Sequence, residues 1–274
     1  MPPDANGEPE RQEVYATIDC AARVWAVAAV HGDAARLRRL HDTLETRFAH
    51  GDRLVYLGNY LGVGPTIRET LDELIDFRRH LMCLPGMEPE DIVYLRGAQE
   101  EMWRKLLQLQ FAANPIEVFD WMLAHGVGAT LAAYGGSAED GRGRIRQGAL
   151  ALTKWTSALR HAMQAQPGHE DLMTGLRRFA VTSDAGLLFV HAGLDPTRPL
   201  SEQRDTLWWG GGDLAALEAP YAGFNLVIRG YDRARQGLRF GGFGASLDAG
   251  CGFGGPLIAA CFLPDGSMVD RLDI

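Results

Sequence analysis

The sequence contains no run of 18 or so apolar residues, so no helix that crosses a bilayer is expected. Its first residues, MPPDANGEPERQE, are acidic and lack the apolar segment of a secretory signal, which makes a cytoplasmic location the expectation. Cysteine is scarce. Cys20, Cys83, Cys251 and Cys261 stand apart with no C-x-x-C pair, a pattern that suits neither a disulfide framework nor a zinc site and reads as small buried hydrophobes. Positive charge is in deficit as well: the formal net charge of -8 repels phosphate backbones, and the basic runs Arg36, Arg38, Arg39 and Arg142, Arg144, Arg146 read as solvated faces. Neither nucleic acid nor a membrane is therefore an expected partner. The phosphate-cradling patterns G-x-x-x-x-G-K-[ST] and a properly placed G-x-G-x-x-G are also missing.

What is present is a chain of 274 residues, 46% hydrophobic, which is enough for one large core. A polar arm over 1–13 and a single domain over 14–274 are expected. VWAVAAV (24–30) is a continuous apolar run of the kind a strand buried on both faces needs, and His31, Gly32 and Asp33 end it. Leu37, Leu40, Leu44 and Phe48 then recur at helical spacing. The unit repeats: RLVYLG runs through the turn NYLGVGP into a helix with Ile67, Leu71, Leu74 and Ile75, and DIVYLRG runs through Ala98 and Gln99 into a helix from about Glu100. Thr66 and Glu69 have the spacing of a capping box for the second helix. Three such units in succession predict parallel pairing with right-handed crossovers, and they gather their turns at the carboxyl ends of the strands, where ligands bind.

From about 114 to 178 the pattern is helical, interrupted by the glycine-rich SAEDGRGRIRQG, which reads as a mobile connection within a helical cap. Short strands follow: RFAVTS, GLLFVHAG, FNLVIRG, ASLDAG, PLIAACFL and MVDRLDI, with a tight hairpin at SDAG and a largely antiparallel arrangement expected. His31 and His191 each close a strand, the position from which a side chain enters a cleft.

Taken in order, the blocks AVHGD, YLGNYLGVGP, YLRGAQEE, FVHAGL, TLWWG, IRGYD and LDAGCGFGGPL resemble the calcineurin-like metallophosphoesterases, in particular the bacterial branch of the PPP-type serine/threonine phosphatases. Those enzymes carry GDIHG, LGDYVDRGP, LRGNHE, FVHAGL, LLWIR, GHT and DTGA..GG. WMLAHGVGATLAAYG is similar to the family's linking region, and the likeness runs from about Val24 to the C-terminus. The resemblance implies an α/β fold, a four-layer α/β/β/α sandwich of two mixed sheets flanked by helices, with a helical cap. It also implies two-metal hydrolysis of a phosphoester.

Carried over position by position, the chemistry is depleted. The aspartate of the family's D-x-H falls on Ala29, with the histidine kept as His31. The metal-bridging aspartate falls on Asn59, and the second aspartate and the arginine of that block on Gly62 and Val63. The asparagine and histidine of GNHE fall on Ala98 and Gln99, with Glu100 kept, so Gln99 and Glu100 occupy the family's catalytic His-Glu positions. His191 is kept, the arginine of LWIR falls on Gly210, and the histidine of GHT on Tyr231. Hard divalent ions depend on carboxylates, and both ligand carboxylates are gone. Gly32, Gly58, Gly64, Gly97 and Gly193, and Asp248 with Gly254 and Gly255, keep the family's frame.

The expected cleft residues are His31, Asn59, Arg96, Gln99, His191, Arg229 and Tyr231. No confident catalytic residue and no cofactor are expected; a metal, Mn or another divalent cation, would have only His31, Asn59 and His191. The expectation is a non-catalytic pseudophosphatase whose partner is a protein or a small phosphorylated ligand. Two alternatives stand beside it. One is an active phosphoesterase with a rearranged site drawing on Asp33, Asp195 or Asp232; the other is a metal-free phosphate or nucleotide binder using the backbone amides of GGFGASLDAGCGFGG. Trp208, Trp209 and Tyr231 are candidates to line a pocket.

Overall fold

The computed structural model describes residues 15–19, 21–210 and 212–274; the arm over 1–13 and Cys20 lie outside them. Two mixed sheets form the centre. The first has the order β11-β10-β2-β3-β4, from β2 (Arg23–Val27), β3 (Asp52–Tyr56), β4 (Ile92–Tyr94), β10 (Ile258–Phe262) and β11 (Met268–Asp273). The second has the order β1-β5-β6-β7-β9-β8, from β1 (Tyr15–Ile18), β5 (Phe179–Thr182), β6 (Leu187–Val190), β7 (Leu226–Arg229), β8 (Arg239–Phe240) and β9 (Gly244–Ser246). Helices flank them, which is the α/β/β/α arrangement expected. No helix among the described residues is long and apolar enough to cross a membrane.

The three strand-turn-helix units pair as predicted. β2, β3 and β4 lie side by side and parallel, with Val55 opposite Ala26 on one side and Val93 on the other. Their crossovers are α1 (Ala34–Glu45) and α2 (Ile67–Leu81), and α3 (Ala98–Leu106) follows β4. Leu37, Leu40 and Leu44 of α1 and Ile67, Leu71 and Leu74 of α2 are fully buried, so the apolar stripes face the sheet.

Four expectations are corrected. Thr66 does not form a capping box; its hydroxyl donates to Gly32 O (2.7 Å) and accepts from Ala34 N–H (3.0 Å), tying the first turn to the second. SAEDGRGRIRQG is not a mobile connection, because Ala138–Gln147 is helical, capped by Ser137 and pinned by Arg142 to Asp120. Its Gly141 packs so tightly that a Cβ there would lie 2.5 Å from the Phe119 ring and 2.8 Å from Trp155. Together with Pro115–Ala124, Val127–Ala133, Ala149–Gln164 and His169–Thr174 it builds the helical cap. The later strands are not largely antiparallel: β6–β7 and β7–β9 are parallel, because the irregular segments between them act as crossovers. Finally, among the described cysteines Cys83 is exposed, whereas Cys251 and Cys261 are buried.

Candidate functional site

The turns after β2, β3 and β4 and the end of β6 meet where the two sheets abut. Ala29 N–H donates to Gly230 O (2.9 Å), and His191 Nδ1 lies 2.6 Å from Leu57 O, so each sheet bonds to the strand ends of the other. A cluster of His31, Asn59, Gln99, Glu100, His191 and Tyr231 results.

Asn59 is its hub. The residue is fully buried with φ 57°, a left-handed conformation that asparagine tolerates better than most residues. Its carbonyl accepts from Val30 N–H (3.1 Å) and His31 N–H (2.6 Å), and its Oδ1 accepts from Gln99 N–H (2.9 Å). Its Nδ2 faces His31 Nε2 at 3.4 Å. His31 also has positive φ, 54°, so two neighbouring non-glycine residues hold backbone conformations that cost energy, a feature concentrated at functional sites.

Glu100 is not aimed at the recess. Its Oε2 accepts from Asn59 N–H and Gly97 N–H (both 2.8 Å), and Oε1 accepts from Leu61 N–H (2.9 Å). Burial pushes its carboxyl up while those N–H donors oppose the shift. Gln99 donates Nε2–H to His125 O (2.8 Å). Tyr231 stacks on His191 (centroids 5.3 Å apart) and meets His31 edge-on (5.8 Å). Burial pushes the His31 imidazole down to about 3, helped by His191 and Arg235, and the His191 imidazole down to about 4. Both rings are neutral at physiological pH.

The other expected cleft residues have partners of their own. Arg229 is buried, its guanidinium bonded to Ser246 Oγ, Ala192 O and Gly212 O and paired with Asp232 (3.3 Å), so it braces the sheet. Arg96 leans on Glu101 (3.7 Å). Asp33 caps α1 and pairs with Arg36, and Asp195 accepts from Thr197. Trp208 lies under the Arg178 guanidinium, whereas Trp209 packs edge-on to Trp121. Trp121 stacks on His125, beside Gly126, where an added Cβ would lie 3.0 Å from Val63 and 3.3 Å from Gln99 Nε2. Phe253 meets His31 edge-on (5.2 Å). Val63, Trp121 and Phe253 are exposed, giving the recess an apolar rim. Gly62 N–H donates to Thr130 Oγ1 (3.2 Å). His125 and Thr130 of the linking segment and Phe253 of the closing glycine-rich block are not singled out by their motifs, and only the fold brings them to the site. A cavity of about 970 Å³ lies between the β1 and β4 edges, lined by Tyr15, Arg78, Tyr94 and Asp171, and contains none of the candidates.

The metal centre of the resembled enzymes is tested by the donors present. Among the described residues no group of three His, Cys, Asp or Glu side chains is placed to hold an ion. The Asn59 oxygen is already taken by Gln99 N–H, and the atom it turns to His31 is nitrogen. Gly62, where an aspartate would stand, has φ 130°, strained for any side chain; a Cβ there would sit 2.8 Å from His31 Nδ1. Gly210, where an arginine would stand, would bring its Cβ within 2.4 Å of Thr206 O. These residues do not fit a binuclear centre.

No family model and no curated protein matches the chain. Solved structures do. A protein provisionally described as a diadenosine tetraphosphatase aligns over 95% of this chain and 97% of its own, at 19% identity and a TM-score of 0.58. A cold-active protein tyrosine phosphatase aligns over 97% of this chain and 83% of its own (14% identity, TM-score 0.52). One from a psychrophilic Shewanella aligns over 94% and 81% (14% identity, TM-score 0.52). Identities this low speak for architecture alone. With its two abutting mixed sheets and flanking helices, the chain shares the four-layer α/β/β/α fold of these phosphatase structures.

Proposed function

We propose that this chain is a pseudophosphatase, a non-catalytic bearer of the phosphoesterase fold that works by binding, in the cytoplasm, through its strand-end recess and apolar rim. One observation carries the reading: Asn59, where the metal-bridging carboxylate would stand, commits its oxygen to Gln99 N–H and presents an N–H to His31. An N–H at that position opposes a cation. Without a bound ion, water keeps its ordinary pKa and no hydroxide is supplied at neutral pH. No arginine side chain stands at Gly210 or Val63 to grip a phosphoryl oxygen. The exposed Val63, Trp121 and Phe253 suit a protein partner instead.

Elemental analysis of the purified protein, paired with phosphomonoester hydrolysis in excess Mn²⁺, tests this. Substoichiometric metal and no turnover above buffer are expected. Stoichiometric metal together with turnover abolished by His31→Ala or His191→Ala would overturn the reading.

A further inference from the structure

Charge is balanced around most of the strand-end recess but not at its mouth. Asp33 pairs with Arg36 (2.6 Å) and Asp232 with the buried Arg229 (3.3 Å), so each of those carboxylates is spent on a guanidinium. Asp248 accepts from Asp232 N–H and Gly250 N–H (both 2.9 Å). Burial pushes its carboxyl up to about 6, which still leaves it mostly ionised at neutral pH. Two cations of the turn after β7 stand near it. Arg233 and Arg235 are exposed, and among the described residues neither guanidinium has a carboxylate partner. Two positive charges against the one of Asp248 leave an excess of one, in a chain whose net charge is -8.

The Arg235 side chain is also held in place. Its backbone has φ 50°, unusual for a residue with a Cβ, in a turn closed by Arg235 N–H to Asp232 O (2.9 Å). Its stem passes Gly250, with Cδ 3.5 Å from where a Cβ would stand, and its Cζ lies 3.5 Å from the centre of the Phe253 ring. That distance leaves room only for face-to-face stacking. One face of the guanidinium is then covered by the ring, while the in-plane N–H edge stays open to solvent. Phe253 in turn meets His31 edge-on, which fixes the stack to the recess, and both arginines lie near enough to Tyr231 to oppose the rise that burial imposes on its hydroxyl.

We propose that Arg235 and Arg233 bind a single carboxylate on an acidic segment of a protein partner, whose neighbouring apolar side chains cover the exposed Phe253, Val63 and Trp121. The proposal rests on the non-catalytic reading and names the chemistry of the partner that reading calls for. A carboxylate accepts two parallel N–H bonds from one guanidinium fork, and its single charge matches the local excess. A phosphate dianion would leave a negative charge uncompensated beside Asp248, and a nucleic acid would set many phosphates against an acidic chain. Because the N–H edge lies at the surface, the segment reaches it from solvent and needs no enclosed cavity.

The test is 15N NMR of the arginine Nε–H groups in the full-length, chelator-treated protein, titrated with capped Leu-Glu-Leu, Leu-Gln-Leu and Leu-phosphoserine-Leu peptides. The glutamate peptide should give saturable shifts of Arg235 and Arg233 at millimolar concentration, weakening as salt is raised. The glutamine peptide should bind roughly tenfold more weakly, the loss of one charge-assisted hydrogen-bond pair. Arg235→Gln, at an exposed site that the fold does not need, should abolish the response, and Phe253→Leu should weaken binding about threefold by removing the ring beneath the guanidinium. Arginine signals that ignore the glutamate peptide, equal binding of the glutamine peptide, tighter binding of the phosphoserine peptide, or binding unchanged in Arg235→Gln would each overturn the proposal. Turnover with Mn²⁺ would sink the non-catalytic reading by a separate measurement that leaves the arginine shifts readable, so the two failures are distinguishable.

Discussion

Glu100 and Asn59 are neighbours in one hydrogen-bond knot, yet the resemblance keeps the first as an acid and turns the second into an amide. The difference lies in what each side chain faces. Glu100 points at three backbone N–H groups, two from the turn after β3 and one from the start of α3, and those donors need a carboxylate whatever the protein does. Asn59 points at a histidine, and a carboxylate there would be an uncompensated buried charge unless a cation came with it. Glu100 thus serves the backbone, whereas a charge at position 59 would serve a ligand.

The largest expected effect breaks the framework side of the pair. Glu100→Ala strands three buried N–H donors at once and should cost about 3–5 kcal/mol in urea unfolding. Asn59→Ala strands Gln99 N–H and puts a residue intolerant of positive φ at 57°, and a loss of about 2–3 kcal/mol is expected by the same measurement. If Asn59→Ala proved as costly as Glu100→Ala, the division between framework and recess would not hold.

Acid titration probes the recess more gently. An unfolded histidine protonates near pH 6.5, whereas His191 and His31 in the fold resist protonation until about 4 and about 3. As pH falls below about 6.5 the unfolded chain gains protons that the fold refuses, so each ring removes about 1.4 kcal/mol per pH unit. Asp248 works the other way. Burial pushes its carboxyl up to about 6, so its contribution rises as pH falls from there toward its unfolded value near 3.8. Two rings against one carboxyl leave a net loss from these groups of about 1.4 kcal/mol per unit between pH 6 and 4. His191→Phe should flatten that slope in denaturation curves taken across the range; an unchanged slope would mean that the ring is not held neutral.

The smallest expected effect is no effect. Chelator treatment should leave the midpoint of thermal unfolding unmoved, because the strand-end turns are tied by Asn59, Glu100 and Thr66. A drop on adding chelator, reversed by Mn²⁺, would show that an ion holds those turns after all.

Much of the architecture was legible because burial writes itself into the chain. The unbroken apolar run at 24–30 and the stripes Leu37, Leu40, Leu44 and Ile67, Leu71, Leu74 mark the elements that lie against the first sheet. SAEDGRGRIRQG misled because glycine and charge resemble a loop, while Gly141 is there to let Phe119 and Trp155 close on the helix. Arg229 and Arg96 looked available in sequence, since whether a guanidinium reaches a ligand or a carbonyl depends on neighbours far along the chain. Thr66 likewise read as a local cap and proved to be a tie between turns more than thirty residues apart.

By itself the sequence determined the order of the elements, the turns that gather at the strand ends and the absence of carboxylates at Ala29 and Asn59, because periodicity and residue identity are local properties. Only the tertiary structure decided which way the Asn59 amide faces and that Gly62 is held at φ 130°. The physical reason is that hydrogen-bond direction belongs to a pair of groups, and the partners of Asn59 lie 28 and 40 residues away.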